Sequence, residues 1–410
     1  MPQPSDSSHR PGTASDAHPD GSSAASLPRI HVFNSMPFNG RGHSQTCYNI
    51  CRYWPDMGVE TAIHTTLLAR DDPENITKPV IPKALTPRLQ TQLYEAIGHP
   101  RLRHRSEANG LKRVRPGDIC YFWPTCSIDA LKQARAQKAV VVIEFINTHV
   151  RLAERIMDAE RSHYHLPGHP DKDLLFSEEE ARLQLADYAF APGPFVGRSI
   201  REFSNANIDI LETSYGAHVP DVLPPRDTAR TGRPKFVFVG TFGLRKGART
   251  LLQAWDIADL DAELHIFGSI EDMFEQEVKR RAARNIVFRG YASDIAEAYR
   301  EADAFVFPSL EEGGPQVTYE AAGHGVPLIV TPMGGGRIAD AHNAFIVEPD
   351  DAPALAAALT RMAQDPALRA RMGAAARKAA PRYDWKAVAR QRLTALTEAL
   401  TAPKPSQKTG

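Results

Sequence analysis

Short apolar runs recur through the first half of the chain, at Arg29–Phe33, Val59–Thr65, Asp118–Phe122, Ala139–Phe145, Asp187–Ala191 and Ile208–Glu212. Helical patterns lie between several of them. Short buried runs alternating with helices predict a parallel sheet with crossover helices. A second series follows the same logic with tighter spacing, at Lys235–Val239, Glu263–Phe267, Ile286–Phe288, Ala304–Phe307, Val326–Val330 and Phe345–Val347. Between the two series, residues 220–234 hold Pro220, Pro224, Pro225 and Pro234 among several charges and read as a linker. The pattern therefore predicts an α/β chain of two doubly wound domains, 29–219 and 235–380, with a cleft between them. Pro353–Ala363 and Pro366–Ala380 read as Ala-rich helices, each opened by a proline, which suits the first helical position. An amphipathic helix, Lys386–Leu400, closes the ordered pattern within a final segment 381–400. Periodicity is weak throughout Leu67–Pro116, which reads as an insertion in the first domain.

Composition changes this picture little. At 410 residues the chain is too long for one ordinary core. With 49 basic and 49 acidic residues it gives no global reason to expect nucleic-acid binding. Cys47, Cys51, Cys120 and Cys126 are too few for a disulfide framework and lack zinc-site spacing. His163, His165 and His169 lie on a stretch bearing Pro and Gly and make a poor metal site, so no metal is expected. Residues 1–28, rich in Ser, Pro, His, Asp and Gly, and 401–410 read as loose tails. No apolar run approaches the roughly 20 residues of a membrane span, and a cytoplasmic location is expected. Arg101, Arg103, His104, Arg105, Lys112, Arg113 and Arg115 face Glu107 alone. They form either a solvated loop or a patch for an acidic acceptor or a membrane surface.

The candidate chemistry centres on Glu312-Gly-Gly-Pro-Gln-Val-Thr-Tyr-Glu320. The run Ala304–Phe307 leads into Glu312, and Pro315 opens a helix that carries Glu320. In parallel sheets, ligands sit outside the carboxyl ends of the strands. The helix start offers free N–H groups and a positive dipole end, which suit a phosphate. Glu312 and Glu320 suit hydroxyls, although Glu311 stands beside the first of them. Phosphate donors next to hydroxyl acceptors describe a sugar-nucleotide site, and Gly313, Gly314 and Gln316 count as part of it. A second loop, Val239-Gly-Thr-Phe-Gly-Leu-Arg-Lys-Gly247, places the cations Arg245 and Lys246 at a strand-to-helix turn, where they can meet a diphosphate. Gly240 and Gly243 there permit close backbone approach.

The Glu312–Glu320 stretch, with Phe307-Pro-Ser309 before it and Ala321-Ala-Gly-His-Gly-Val-Pro327 after it, resembles the signature of the family 4 retaining glycosyltransferases. The resemblance covers roughly 150 residues of the carboxyl half. It implies the GT-B fold, a nucleoside diphosphate sugar as donor with no separate cofactor, and a glycan or lipid-linked acceptor on the first domain. It also implies that Glu320 holds the ribose and Glu312 the transferred sugar. Lys246-Gly247 matches the family's loop end, but Thr241 stands where an Arg is expected, and Arg245 is the candidate substitute. His149, just past Ala139–Phe145, matches a His that some members carry near the transferred sugar; a structural role is the alternative. In the first domain Asn39-Gly-Arg-Gly-His43 is a weak dinucleotide fingerprint. Gly40 and Gly42 there either approach the donor or acceptor, with Arg41 adding charge, or form an ordinary turn. The implied function is retaining, metal-independent sugar transfer in polysaccharide or glycolipid synthesis. Rival readings are a non-catalytic nucleotide-sugar or glycan-binding protein on the same scaffold, which Thr241 mildly favours, and a nucleotide-sugar epimerase.

Overall fold

The structure, a computed structural model, describes residues 28–38, 40, 42–223, 232–281, 285–292 and 294–402. Most of the expected tails and much of the expected linker lie outside the described residues. The first domain carries β1 (Ile30–Phe33), β2 (Thr61–Thr65), β3 (Thr77–Pro79), β4 (Ile119–Phe122), β5 (Val140–Glu144), β6 (Tyr188–Ala191) and β7 (Asp209–Glu212). All pair in parallel, in the order β3-β2-β1-β4-β5-β6-β7. Its helices are α1 (Gly42–Cys51), α2 (Pro87–Ile97), α3 (His99–Leu111), α4 (Ile128–Ala136), α5 (Val150–Ser162), α6 (Lys172–Leu185) and α7 (Pro194–Phe203). Every residue of β1, β4 and β6 is buried, as both faces of a helix-covered parallel sheet must be. That is why these strands read as continuous apolar runs. All four cysteines are buried and free.

The second domain is a six-stranded parallel sheet in the order β10-β9-β8-β11-β12-β13. Its strands are β8 (Lys235–Val239), β9 (Glu263–Phe267), β10 (Ile286–Gly290), β11 (Ala304–Phe307), β12 (Leu328–Val330) and β13 (Ala344–Ile346). The run expected from Val326 begins pairing only at Leu328. Pro327 has no N–H for the ladder, although its carbonyl accepts from the Phe305 N–H at 2.9 Å. The helices are α8 (Ala248–Ala258), α9 (Asp272–Arg280), α10 (Ile295–Glu301), α11 (Gln316–Gly323), α12 (Ala352–Gln364), α13 (Pro366–Ala379) and α14 (Trp385–Thr401). Asp351, Asp365 and Asp384 each cap one of the last three, accepting an N–H of its first turn.

The stretch Leu67–Pro116 is not a shapeless insertion. It supplies the edge strand β3 and the helical pair α2–α3, held by a small cluster of Leu67, Ile81 and Leu102. Gly110 lets α3 lie close to Phe33 and His64, where a Cβ would overlap both rings. Arg101, His104 and Arg105 sit on exposed positions of α3, and Lys112, Arg113 and Arg115 follow it, also exposed; Arg103 is half-buried. Among the described residues no helix is long and apolar enough to cross a membrane.

Ionic contacts tie the halves together, among them Arg337 to Glu212 of β7 at 3.1 Å. Helix α14 returns to the first domain, where Trp54 Nε1 donates to the Ala389 carbonyl at 3.0 Å. Its Arg392, fully buried, pairs with Glu144 at the end of β5 through bonds of 2.8 and 3.1 Å. Tyr121 also donates to Glu144. On the other flank Arg249 of α8 grips Glu160 of α5 with bonds of 3.0 and 2.6 Å, and reaches Asp350 at 2.6 Å. Glu160, His163 and Asp350 converge there, but the guanidinium already occupies both carboxylates.

Removing one partner of a buried pair strands the other charge, which costs about 3–5 kcal/mol, whereas replacing both with apolar residues often costs little. Urea unfolding should therefore show Arg392→Ala less stable by about that amount. The double variant Arg392→Met/Glu144→Leu should lose less than the single one. A double variant weaker than Arg392→Ala would mean the pair is not the source of the effect.

Candidate functional site

The turn after β8 is shaped by its glycines. Gly247, at φ 70°, opens α8, and an added Cβ there would overlap the Pro308 carbonyl oxygen. The loop is thus pressed against the segment that follows β11. The Arg245 carbonyl accepts the Leu310 N–H at 2.9 Å, and the Ser309 hydroxyl oxygen lies 3.2 Å from it. The two loops that the sequence singles out are therefore joined at the carboxyl ends of adjacent strands. Thr241, where a cation was expected, pairs with the Ser269 hydroxyl at 2.9 Å.

Within this junction the expected site residues meet one another. Lys246 Nζ contacts Glu312 Oε1, and both side chains are nearly buried. Ser309 Oγ donates to the same oxygen at 3.1 Å. Burial, and then the Arg245 cation, push the Lys246 pKa well down, while Glu311 opposes them. Arg245, 39% exposed, reaches Glu311 Oε2 at 3.1 Å. Glu320 is recessed on α11, and burial raises its pKa against the stabilising bond from Tyr299. Tyr299 donates to Oε2 at 3.0 Å. The other Glu320 oxygen has no protein partner among the described residues.

The remaining candidates meet the first domain instead. A Cβ on Gly313 would overlap the Ile146 carbonyl, and one on Gly314 would strike the Tyr215 ring. Gln316 Nε2 donates to Thr46 Oγ1 at 2.5 Å. These three residues lie at the contact between domains. Gly40 and Gly42 take left-handed φ of 80° and 60°, and an added Cβ at either meets nothing. Backbone conformation, not close approach, accounts for glycine there. Asn39 and Arg41 lie outside the described residues.

His149 does not project into the cleft. It is fully buried, packed against Phe176 and Phe203, and its Nδ1 accepts the Arg151 N–H at 3.2 Å as the cap of α5. Its Nε2 faces Glu179 Oε1 at 3.5 Å. The alternative of a structural histidine is the one the structure supports. The sequence pointed to Glu312, noted Glu311 only as its neighbour, and passed over Thr148 and Ser309, which complete the junction. Ser309 was visible only as part of the Pro-Ser pair.

A cavity of about 400 Å³ opens in the first domain at the carboxyl ends of β4 and β5. Phe122, Trp123 and Phe145 give it apolar wall, and Glu154, Glu178 and Arg182 give it polar wall. Ile146, Asn147 and Thr148 also line it, and these residues meet the Glu311–Gly313 segment. The cavity thus abuts the second-domain junction.

Residues 233–365 match the family model described as glycosyl transferases group 1. The second domain is of that type. Among curated proteins, the chain is 36% identical over 110 residues to a D-inositol 3-phosphate glycosyltransferase of Streptomyces avermitilis, covering 26% of this chain and 24% of that one. It is 28% identical over 244 residues to one from Arthrobacter sp. (strain FB24), covering 53% of this chain and 57% of that one. The matches therefore span between a quarter and somewhat over half of these relatives. A solved sucrose-phosphate synthase from Thermosynechococcus elongatus aligns over 92% of this chain and 100% of its own, with a TM-score of 0.68 at 19% identity. The group 1 domain and the parallel-sheet domain before it together form the GT-B fold.

Burial lowers the His149 pKa to about 4. The unfolded chain takes a proton near the ordinary 6.5 that the folded chain refuses until about pH 4. Stability from this group is therefore full above 6.5 and is lost as pH falls toward 4, by on the order of 3 kcal/mol. Glu179, which burial pushes up to about 7, acts in the opposite sense. The informative quantity is the difference from His149→Asn, which keeps a capping side chain but cannot titrate. Between pH 6.5 and 4 the wild type should lose more unfolding free energy than this variant; parallel curves would reject the assignment.

Proposed function

We propose that the chain is a retaining glycosyltransferase that moves a sugar from a nucleoside diphosphate sugar to an acceptor hydroxyl. The observation that carries this reading is the meeting of Lys246 with Glu312 and of Arg245 with Glu311 at the carboxyl ends of β8 and β11, beside a match to the group 1 family model. Lys246 and Glu312 are held together as a pair. A donor brings a diphosphate for the cation and sugar hydroxyls for the carboxylate, so it can part them without leaving either uncompensated. Lys246, Arg245 and the amino end of α11 then stabilise charge that builds on the leaving diphosphate, a task that needs no metal. Glu320, with one oxygen taken by Tyr299, offers the other to the ribose hydroxyls. The acceptor enters through the cavity between β4, β5 and α6. Its mixed apolar and polar lining suits a sugar ring on a glycan or lipid carrier. The exposed basic positions of α3 support a lipid-linked acceptor at an anionic membrane surface.

Two variants test the reading. Lys246→Ala should reduce turnover roughly 100-fold, as when one preorganised donor to a developing anion is lost. Glu320→Ala should weaken donor binding by about 1.5–3 kcal/mol in calorimetry against a panel of nucleoside diphosphate sugars. A wild-type chain that bound none of the panel, or a Lys246→Ala chain with most of its turnover, would sink the proposal.

A further inference from the structure

Glu311 has no role in the reading above, yet it is among the most constrained carboxylates in the molecule. It is 1% exposed. Its Oε1 accepts two bonds from one residue of the first domain, the Thr148 N–H and the Thr148 hydroxyl, both at 2.9 Å. Its Oε2 accepts from Arg245 Nη1 at 3.1 Å within the second domain. One side chain thus spans the domain boundary and ends on a cation of the donor loop.

The surroundings make this contact conditional on closure. Thr148 stands in the segment that follows β5, and it too is buried. Two residues away, the Gly313 backbone lies so close to the Ile146 carbonyl that only glycine fits. Gly193, opening α7, is likewise closed against the Gly313 carbonyl, where a Cβ would overlap it. The loops meet backbone to backbone, so a small separation of the domains takes Thr148 away from Glu311. With two Thr148 donors on one oxygen, the carboxylate holds Arg245 by Nη1 alone, and Nε and Nη2 of the guanidinium have no other partner among the described residues. Without Thr148 the carboxylate can turn both oxygens to Arg245 in a bidentate fork, the geometry that guanidinium and carboxylate prefer. A guanidinium held that way has less to offer a phosphate.

We propose that Glu311 is a positioning residue that couples domain closure to the donor loop: Thr148, arriving with the first domain, draws the Glu311 carboxylate off Arg245 and presents that cation to the diphosphate. The inference rests on the donor reading given above and adds to it a residue and a condition. Turnover, not donor binding, should depend on the contact, because the open chain can bind donor before Thr148 arrives.

Glu311→Gln tests this with little change of shape. The amide keeps one oxygen acceptor, so either the Thr148 backbone N–H or the Arg245 guanidinium must face an N–H it cannot use. The nucleoside diphosphate that binds the wild type best among UDP, GDP and ADP serves as the binding probe, and the matching sugar donors as substrates. Kd should stay within about threefold in Glu311→Gln while kcat falls at least tenfold. Thr148→Val, which keeps the N–H and loses the hydroxyl, should fall in between, and Thr148→Ser should restore wild-type kcat. A residue that mattered only for folding would lower Tm without this split between Kd and kcat, or this rescue. Should Glu311→Gln not fold, the two Thr148 variants carry the test alone. Wild-type kcat in Glu311→Gln or Thr148→Val, or affinity and kcat falling together, would overturn the coupling while leaving the donor reading intact. Failure of the wild type to bind any nucleoside diphosphate would overturn both.

Discussion

A carboxylate at the end of a central strand cannot be left alone in a protein interior, and much of this architecture follows from how Glu144 is answered. Taking the charge out of water costs several kcal/mol unless a partner and further hydrogen bonds replace the lost solvent. The partner, Arg392, comes from 248 residues later in the chain. To deliver it, α14 must leave the second domain and lie along the first. The crossing point is fixed as well. The Ala217 N–H donates to the Tyr383 carbonyl at 2.9 Å, and Gly216 leaves room for that carbonyl where a side chain would not. Phe190 and Tyr215 rings flank the guanidinium. Glu144 is also the last residue of β5, so the pair anchors the segment Phe145–Thr148 that the second domain touches. Tyr215 helps from the other side, its hydroxyl donating to the Phe145 carbonyl at 3.3 Å.

The cleft therefore inherits a rigid wall on one side and a loop pair on the other. On the loop side, charges are matched in advance, Lys246 with Glu312 and Arg245 with Glu311. A site that kept two cations and two carboxylates apart in a poorly hydrated crevice would hold four uncompensated charges. Pairing them stabilises the chain without a ligand. On the donor reading proposed above, a ligand would present both signs of complementarity at once, anion for cation and hydroxyl for carboxylate. A bare anion would leave a carboxylate without its cation, and a neutral sugar would leave the cations where they were. This selectivity arises from the pairing itself and needs no additional contact.

What was legible in the sequence divides along physical lines. Strands buried on both faces leave an unbroken apolar signature, so all but one of β1 to β13 could be placed to within two residues, β12 starting late where Pro327 cuts a ladder short. The short edge strand Thr77–Pro79 was missed because it is partly exposed and carries Lys78 and Pro79. Helices α2 and α3 were missed because they bury few residues and α3 is charged on most of its surface. At the junction, residue type singled out Lys246 and Glu312, which the structure brings together from the loops after β8 and β11. It did not suffice for His149. A histidine after a strand can turn toward the cleft or back under its own helix, and Phe176 and Phe203, distant in sequence, decide which. The interdomain partners of Gly313, Gly314 and Gln316 were invisible for the same reason, since contact across a boundary leaves no periodicity in either segment.

The adjacent pair Glu311-Glu312 shows how far such a limit can be pressed. Read as a string, the two are interchangeable, and either could be the first carboxylate of the signature. Outside a helix, neighbouring side chains diverge, so two adjacent glutamates in a loop between domains cannot both serve the same neighbour. One must turn to its own domain and one across the gap. Here Glu312 turns inward to Lys246 and Ser309, and Glu311 turns across to Thr148. The glycines that follow permit this division. A side chain at Gly313 would hold the Ile146 backbone away, and Glu311 would then lose Thr148 and keep only Arg245 of its own domain. The order Glu-Glu-Gly-Gly is thus one geometric unit: a carboxylate for the boundary, a carboxylate for the site, and two residues without side chains so that the boundary can close.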